Sequence, residues 1–212
     1  MTSGGSSVQV YRTYFTEKLR EHGEDLRALD YGSLLSQRRK FEVLYEGIRG
    51  NGSPLDILDV GCGFGDFLGF LQSRHAPLRR YDGLDLVPGM IEIARKRYPS
   101  GHFKVRNILR EGIGRRCDYA FANGIFYLRA RDSPAYIRRV VRTMWNSCRQ
   151  GVVFNARSKY ADPAYIRREK HLYHYSPAEV VDFCFGLTRN VVLRHDYIPH
   201  EFTIYLYRDK SR

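Results

Sequence analysis

The chain has 212 residues, 43% of them apolar or aromatic and 27% charged, which is the size and balance of one globular domain and excludes disordered, collagen-like and repeat classes. No run approaches the roughly 18 consecutive apolar residues of a membrane span, and the stretch Met1 to Ser7 has no basic head followed by an apolar core, so no membrane partner and a cytoplasmic location are expected. The net charge of +12, with 28 arginines scattered along the chain as pairs rather than in one block, fits a solvated basic surface and leaves a nucleic-acid partner open.

Residues 1–9 read as a polar tail and residues 10 to about 50 as a helical segment. In its second half Gln37, Phe41, Leu44, Tyr45 and Ile48 fall on one helical face. The cluster Gly50-Asn51-Gly52-Ser53-Pro54 ends it. The chain is therefore divided into a tail and helical lid (1–50) and a ligand-binding body (51–212), together one domain. In the body, β-rich runs at Leu55–Val60, Tyr81–Leu86, His102–Arg106, Cys117–Ala122 and Val152–Ala156 alternate with helical or loop segments, the pattern of a parallel α/β sheet.

After Ser133-Pro134, a serine cap and a first-turn proline, Ile137, Val140, Val141, Met144, Trp145 and Cys148 recur at helical spacing and read as core. At the C-terminal end Arg189–Tyr197 and Phe202–Arg208 are separated only by Ile198-Pro199-His200-Glu201, too short for a crossover, so they must form an antiparallel hairpin. Cys62, Cys117, Cys148 and Cys184 include no Cys-x-x-Cys, so free buried thiols are expected, with neither disulfide nor metal.

The strongest chemical signal is Ile57-Leu58-Asp59-Val60-Gly61-Cys62-Gly63-Phe64-Gly65-Asp66-Phe67-Leu68, a strand that passes through three glycines into a helix. Glycines there let a ligand approach the backbone and meet helix N-terminal amides. In a dinucleotide fingerprint the third glycine stands where Asp66 stands here. Asp66 and Asp59 would repel a pyrophosphate, whereas a cofactor with an ammonium and a sulfonium and no phosphate would suit the loop. Asp85 closes the second strand 20 residues after Gly65, where an acid can accept hydrogen bonds from two ribose hydroxyls; alone it could equally be a helix cap.

The runs Ile57–Leu68, Gly83–Arg95 and Cys117–Phe126 resemble, in order and spacing, the successive motifs of class I S-adenosylmethionine-dependent methyltransferases. The resemblance covers about residues 55–126 by motif and the remainder by topology. It implies a Rossmann-like seven-stranded α/β sheet with a C-terminal antiparallel hairpin, helices on both faces and an N-terminal helical lid. It further implies S-adenosylmethionine as cofactor and S-adenosylhomocysteine as product. By the resemblance, Asp59 and the loop Gly61, Cys62, Gly63 and Gly65 would hold the methionine part, Asp85 the ribose, and Leu86 and Met90 the adenine. Where the family commonly has an acid for the adenine amine this chain has Asn107, whose side-chain oxygen can accept the same bond, with Ile108 offering its backbone amide.

Methyl transfer is an in-line displacement, so alignment matters most and a general base is optional. The acceptor should lie beyond the carboxyl ends of the strands, over Asn123-Gly124-Ile125-Phe126-Tyr127. Asn123 is assigned to the cofactor side and Phe126 to the acceptor. Nucleic-acid amine methylases often carry Asn-Pro-Pro-aromatic here, and Asn123 with Phe126 keeps only the ends of that run. Aromatics of the lid (Tyr11, Tyr14, Phe15, with His22) and of residues 161–176 (Tyr165, His171, Tyr173, His174, Tyr175) should cover the acceptor, Tyr14 and Tyr173 being the expected contacts. The sixth strand should run parallel to the first five, which puts its turn on the ligand face. His200, His195 and His174 are therefore the candidate proton acceptors.

The expected function is methyl transfer to a small-molecule acceptor, in specialised metabolism, by a monomer or homodimer. The alternatives are an RNA or DNA base methyltransferase and a non-catalytic cofactor-binding partner subunit.

Overall fold

The computed structural model describes residues 5–49 and 52–209. Residues 1–4 of the expected tail, Gly50 and Asn51 of the helix-ending cluster, and with them the expected 50/51 boundary, lie outside the described residues. Seven strands are described: β1 (Leu55–Val60), β2 (Leu78–Asp85), β3 (His102–Val105), β4 (Cys117–Ala122), β5 (Cys148–Arg157), β6 (Val191–Ile198) and β7 (Glu201–Tyr207). They form one sheet in the order β3-β2-β1-β4-β5-β7-β6.

Strands β1 to β5 pair in parallel. Strand β7 inserts between β5 and β6 and runs antiparallel to both, so β6 points the same way as the first five. Every residue of β1 and of β4 is buried, as expected of central parallel strands covered on both faces.

Alternation sorts the side chains into two layers. Leu58, Val60, Ala120, Ala122, Val152 and Phe154 face one side, where α6 (Ser133–Ser147) lays Ile137, Val140, Val141 and Met144, and the helix Pro177–Phe185 adds Val180 and Cys184. Ile57, Tyr119, Phe121 and Val153 face the other. That side is covered by α2 (Leu34–Glu46), α3 (Asp66–Ser73) and α4 (Pro88–Arg97) through Phe41, Leu44, Phe67, Leu71 and Ile91.

Three local expectations differ from the structure. The N-terminal helical segment is not continuous. Gly23, at φ 58°, ends α1 (Ser7–His22), and a 3-10 turn (Leu26–Leu29) intervenes before α2. Helix α1 also starts earlier than residue 10, because Ser7 donates through both its amide (2.6 Å) and its hydroxyl (2.7 Å) to Asp132 Oδ1. Ser133 is not the cap of α6 but its first helical residue. Its hydroxyl oxygen accepts from Ala130 N at 2.9 Å, while Asp132 precedes the helix and holds Ser7.

Candidate active site

Beyond the carboxyl ends of β1, β2 and β4 a cavity of about 1140 Å³, its mouth included, runs from the glycine loop to a roof made by α1 and the 3-10 turn. The loop is built by close approach. Gly61 N and Cys62 N both donate to Leu84 O, and Gly63 N donates to Asp85 Oδ2 at 3.0 Å. Gly61 sits at φ +77° and Gly63 at φ +52°, conformations that favour glycine. A Cβ on Gly61 would stand 2.2 Å from Ile125 Cγ2, and one on Gly63 2.7 Å from Leu29 Cδ2.

Three carboxylates surround this loop. Asp59 is buried and accepts from Tyr81 Oη at 2.5 Å. Burial pushes its carboxyl up to about 7, with Asp85 and Asp66 adding to the rise and the Tyr81 bond opposing it. Asp85 spans two elements, accepting from Gly63 N and, at 2.9 Å, from Val87 N. Burial raises its carboxyl as well, against the pull of those backbone N–H groups. Asp66 opens α3, accepts from Gln37 Nε2 at 3.0 Å and lies 3.6 Å from Arg97. No lysine, arginine or histidine bonds to Asp59 or Asp85 among the described residues. This end of the cavity therefore favours a positively charged ligand over a phosphate.

Of the residues assigned to the cofactor from the sequence, Asp59, Gly61, Cys62, Gly63, Asp85, Leu86, Met90, Asn107, Ile108 and Asn123 all line the cavity. Leu86, Met90 and Ile108 give it an apolar side. Gly65 does not line it: it caps α3 from behind, and a Cβ there would meet the Phe103 ring at 2.9 Å. The Cys62 thiol is buried, and burial drives its titration far up, so it packs rather than reacts. Asn107 has a structural task of its own. Its Oδ1 accepts from Leu109 N at 3.1 Å as the cap of the short helix α5 (Ile108–Glu111), which leaves one lone pair for any ligand.

The expected acceptor residues are placed otherwise. Phe126 is core, set edge-on against Tyr136 and Phe154. Tyr14 packs on Phe15 at 5.3 Å under Lys18, and Tyr173 packs on Tyr175 at 4.6 Å; neither lines the cavity. One helical turn explains the first displacement: Tyr11 and Phe15, four residues apart, share the inward face of α1 that Tyr14 misses. The Tyr11 hydroxyl accepts from Tyr127 N and, at 2.7 Å, from Leu128 N, which ties the roof to the loop after β4.

The three histidines also stand outside the cavity lining. His200 stacks on Tyr165 at 4.8 Å, and burial, followed by the Arg157 guanidinium, pushes it down to about 4. His174 lies edge-on to the same tyrosine, and burial, then Arg157, then Arg129, holds it below its ordinary value. Its two ring nitrogens are buried without a hydrogen-bond partner among the described residues. His195 packs against Phe202 and Tyr160.

The hairpin turn reaches the site through Glu201 instead. A chain of side chains runs from Tyr31 to Lys40. Asn123 Nδ2 donates to Tyr31 Oη (2.6 Å), Asn155 Nδ2 donates to Asn123 Oδ1 (2.6 Å) and to Glu201 Oε1 (2.9 Å), and Glu201 Oε2 lies 2.7 Å from Lys40 Nζ. Tyr127, in the loop expected beneath the acceptor, lines the cavity, as do Tyr31, Lys40, Tyr136 and Arg157, which the sequence did not assign. Lys40 had a legible signal: three residues after Gln37 and beside Phe41, it is a lysine on the buried stripe of α2. Arg157, the last residue of β5, had none.

Among the described residues no group of three or more His, Cys, Asp or Glu is arranged to hold a metal. No helix there is long and apolar enough to cross a membrane.

Residues 57–146 match the family described as a methyltransferase domain. A Mycobacterium tuberculosis protein, Rv1506c, classed by its name with the methyltransferases, is 33% identical over 156 residues, covering 71% of this chain and 92% of the relative. Magnesium protoporphyrin IX methyltransferase of Synechocystis PCC 6803, solved with S-adenosylhomocysteine, superposes with a TM-score of 0.69 at 12% identity, covering 96% of this chain and 100% of that one. N-methyltransferase NodS of Bradyrhizobium japonicum, also with S-adenosylhomocysteine, gives 0.67 at 18% identity, covering 94% and 100%. At these identities the two structures share the fold with this chain.

Proposed function

The chain belongs to the class I S-adenosylmethionine-dependent methyltransferases, and from that premise we propose that it methylates a small molecule held between the glycine loop and the roof of α1. As a methyltransferase it is an enzyme, which sets aside the reading of a non-catalytic partner subunit.

The glycine loop fits the cofactor on two counts: Gly61 and Gly63 put bare backbone at the cavity wall, where a Cβ would run into Ile125 or Leu29, and Asp59 and Asp85 are carboxyl groups to which no cation bonds among the described residues. In this reading Asp59 and the backbone of Gly61 and Gly63 hold the methionine part, Asp85 takes the ribose hydroxyls, and Leu86, Met90 and Ile108 flank the adenine. When bound, the cofactor supplies an electrophilic methyl group on a sulfonium. The chain's own residues bind, orient and exclude water, and alignment of that kind can carry an in-line displacement without a dedicated base.

The enclosed roof carries the small-molecule reading. Helix α1 is fixed at one end by Ser7 on Asp132 and in its first turns by Tyr11 on the backbone after β4, so Tyr11, Phe15, Tyr127 and Tyr136 close the cavity with apolar surface. Enclosed, largely apolar cavities with a few convergent polar groups are the usual form of small-molecule sites.

A nucleic-acid base as acceptor is the second reading, supported by the charge of +12. Against it, Asn123 spends its oxygen on Asn155 and its amide nitrogen on Tyr31, and Phe126 is buried where a base-stacking ring would need to be free. Methyl incorporation from labelled S-adenosylmethionine into a small-molecule panel, compared with tRNA and ribosomal RNA, tests the choice. Turnover of a small molecule with little dependence on salt is expected. Methylation of RNA that falls by orders of magnitude between about 50 and 200 mM salt would favour the second reading.

A further inference from the structure

Arg157 is the last residue of β5 and lines the cavity, yet no carboxylate pairs with it among the described residues, and its buried Nη1 has no hydrogen-bond partner. Its only described neighbours of note are ring faces, with the guanidinium carbon 5.8 Å from the Tyr127 centroid and 5.9 Å from that of Tyr165. The acids that could neutralise it are already engaged. Glu201, opposite it in the β5–β7 register, is held by Lys40 at 2.7 Å. Asp30 accepts from Tyr127 Oη at 3.0 Å and lies 3.6 Å from Lys18. The nearby His200 and His174 are kept neutral in part by this same guanidinium and offer it no charge.

Arg157 is half-buried, and a guanidinium whose buried Nη1 lacks a partner is costly, while its planar fork matches the oxygens of a carboxylate or phosphate. We propose that Arg157 binds an oxyanion carried by the acceptor, a carboxylate or a phosphate monoester, and so sets the substrate class; this rests on the small-molecule reading above. Tyr31 assists: its hydroxyl oxygen accepts from Asn123 Nδ2, its own proton has no acceptor among the described residues, and it lines the same cavity. The placement leaves room for an acceptor body. Strand β5 is two positions from β1 in the sheet, so Arg157 stands about 10 Å across the sheet from the glycine loop. The cavity is thus negative where a sulfonium is expected and positive where the acceptor enters.

The test is calorimetric titration of protein saturated with S-adenosylhomocysteine. The probes are matched sets of small monocarboxylates, phosphate monoesters and their neutral amides or alcohols, with inorganic phosphate alone as a further arm. In the wild type at least one oxyanion class binds about tenfold or more tighter than its neutral counterparts, as loss of a charge-assisted hydrogen bond requires. Arg157→Gln removes that difference while its affinity for S-adenosylhomocysteine stays within about twofold of wild type; Arg157→Lys, charged but without the fork, keeps part of it. Which of the two classes is preferred identifies the source of the oxyanion. Acids that bind no better than their amides in the wild type, or that bind Arg157→Gln as well as the wild type, overturn the proposal. Wild-type protein that fails to take up S-adenosylhomocysteine would overturn the cofactor reading beneath it, and the proposal with it.

Discussion

Lys40 Nζ and Glu201 Oε2 lie 2.7 Å apart, both side chains buried, and the pair joins the apolar stripe of α2 to the first residue of β7. Glu201 is otherwise fully used: its second oxygen accepts from Asn155 Nδ2 and from Tyr197 Oη at 3.1 Å. Asn155 in turn holds Gly124 N and Asn123 in place beside the cavity. The hairpin therefore shapes the acceptor side of the site through a positioning network.

Removing one member of this pair leaves the other charge buried alone. Lys40→Met or Glu201→Gln is expected to destabilise the fold by about 3–5 kcal/mol, and the double variant to recover most of that loss. Urea unfolding of the three variants, read as a double-mutant cycle, measures the coupling. Single variants that cost less than about 1 kcal/mol would mean that water, not the pair, satisfies these groups.

His200 gives a pH prediction of opposite sense to a general base working near neutrality. Its value of about 4 lies below the unfolded one of about 6.5, so the fold favours the neutral ring. The stability this contributes is present above pH about 6.5 and is lost as the pH falls through 4. His200→Gln should therefore leave the rate against pH unchanged from about pH 6 to 9 and flatten the acid limb of the melting curve. A rate that drops at least about a hundredfold on this substitution would restore His200 to the chemistry.

How much of this was legible in the sequence follows from how local each signal is. The run Ile57–Leu68 was legible by itself, because a glycine-rich turn directly after an apolar strand permits the positive φ that Gly61 and Gly63 adopt. The hairpin was legible from the short spacer at Ile198–Glu201, and β1 and β4 from continuous apolar runs. The acceptor side was not legible, because it depends on which face of α1 turns inward and on how far side chains reach across strands. Tyr11 and Tyr14 look alike in sequence, and what distinguishes them is tertiary: Tyr11 faces the cavity and its Oη accepts from Tyr127 N and Leu128 N. Asn107 illustrates the converse. A polar residue at the expected place is also a good helix cap, and the capping bond to Leu109 N competes with the ligand for it.

Asp85→Ala should lower cofactor affinity and melting temperature together. The carboxylate holds Gly63 N on the glycine loop and Val87 N ahead of α4, so both the ribose-facing role and the capping role rest on one side chain. Loss of the ribose bonds alone corresponds to about 1.5–3 kcal/mol of binding. Calorimetry and thermal unfolding on one preparation separate the two effects. A fall in melting temperature with affinity for S-adenosylhomocysteine unchanged would leave Asp85 as a cap only.

Asp59 supplies the sharpest test of the charge logic at the glycine loop. Its carboxyl is raised to about 7, chiefly by burial, against an unfolded value of about 3.9. The protonated form is therefore the one the empty fold prefers. The stability it contributes is fully present below pH about 4 and is lost as the pH rises through 7. A cationic ligand reverses that preference, since it stabilises the carboxylate. Affinity for S-adenosylhomocysteine should therefore rise with pH through 7, with a limiting slope of about one decade per pH unit, before it levels off. Asp59→Asn keeps an acceptor for Tyr81 Oη but cannot ionise. Its affinity should approach that of the wild type near pH 5.5, fall behind it as the pH rises to about 7, and stay behind by a constant factor from there to pH 8.5, any titration of the ligand's own amine being common to both proteins. Parallel curves for the two over that range would show that Asp59 does not meet the ligand's positive charge, and that the negative end of the cavity acts through Asp66 and Asp85 alone.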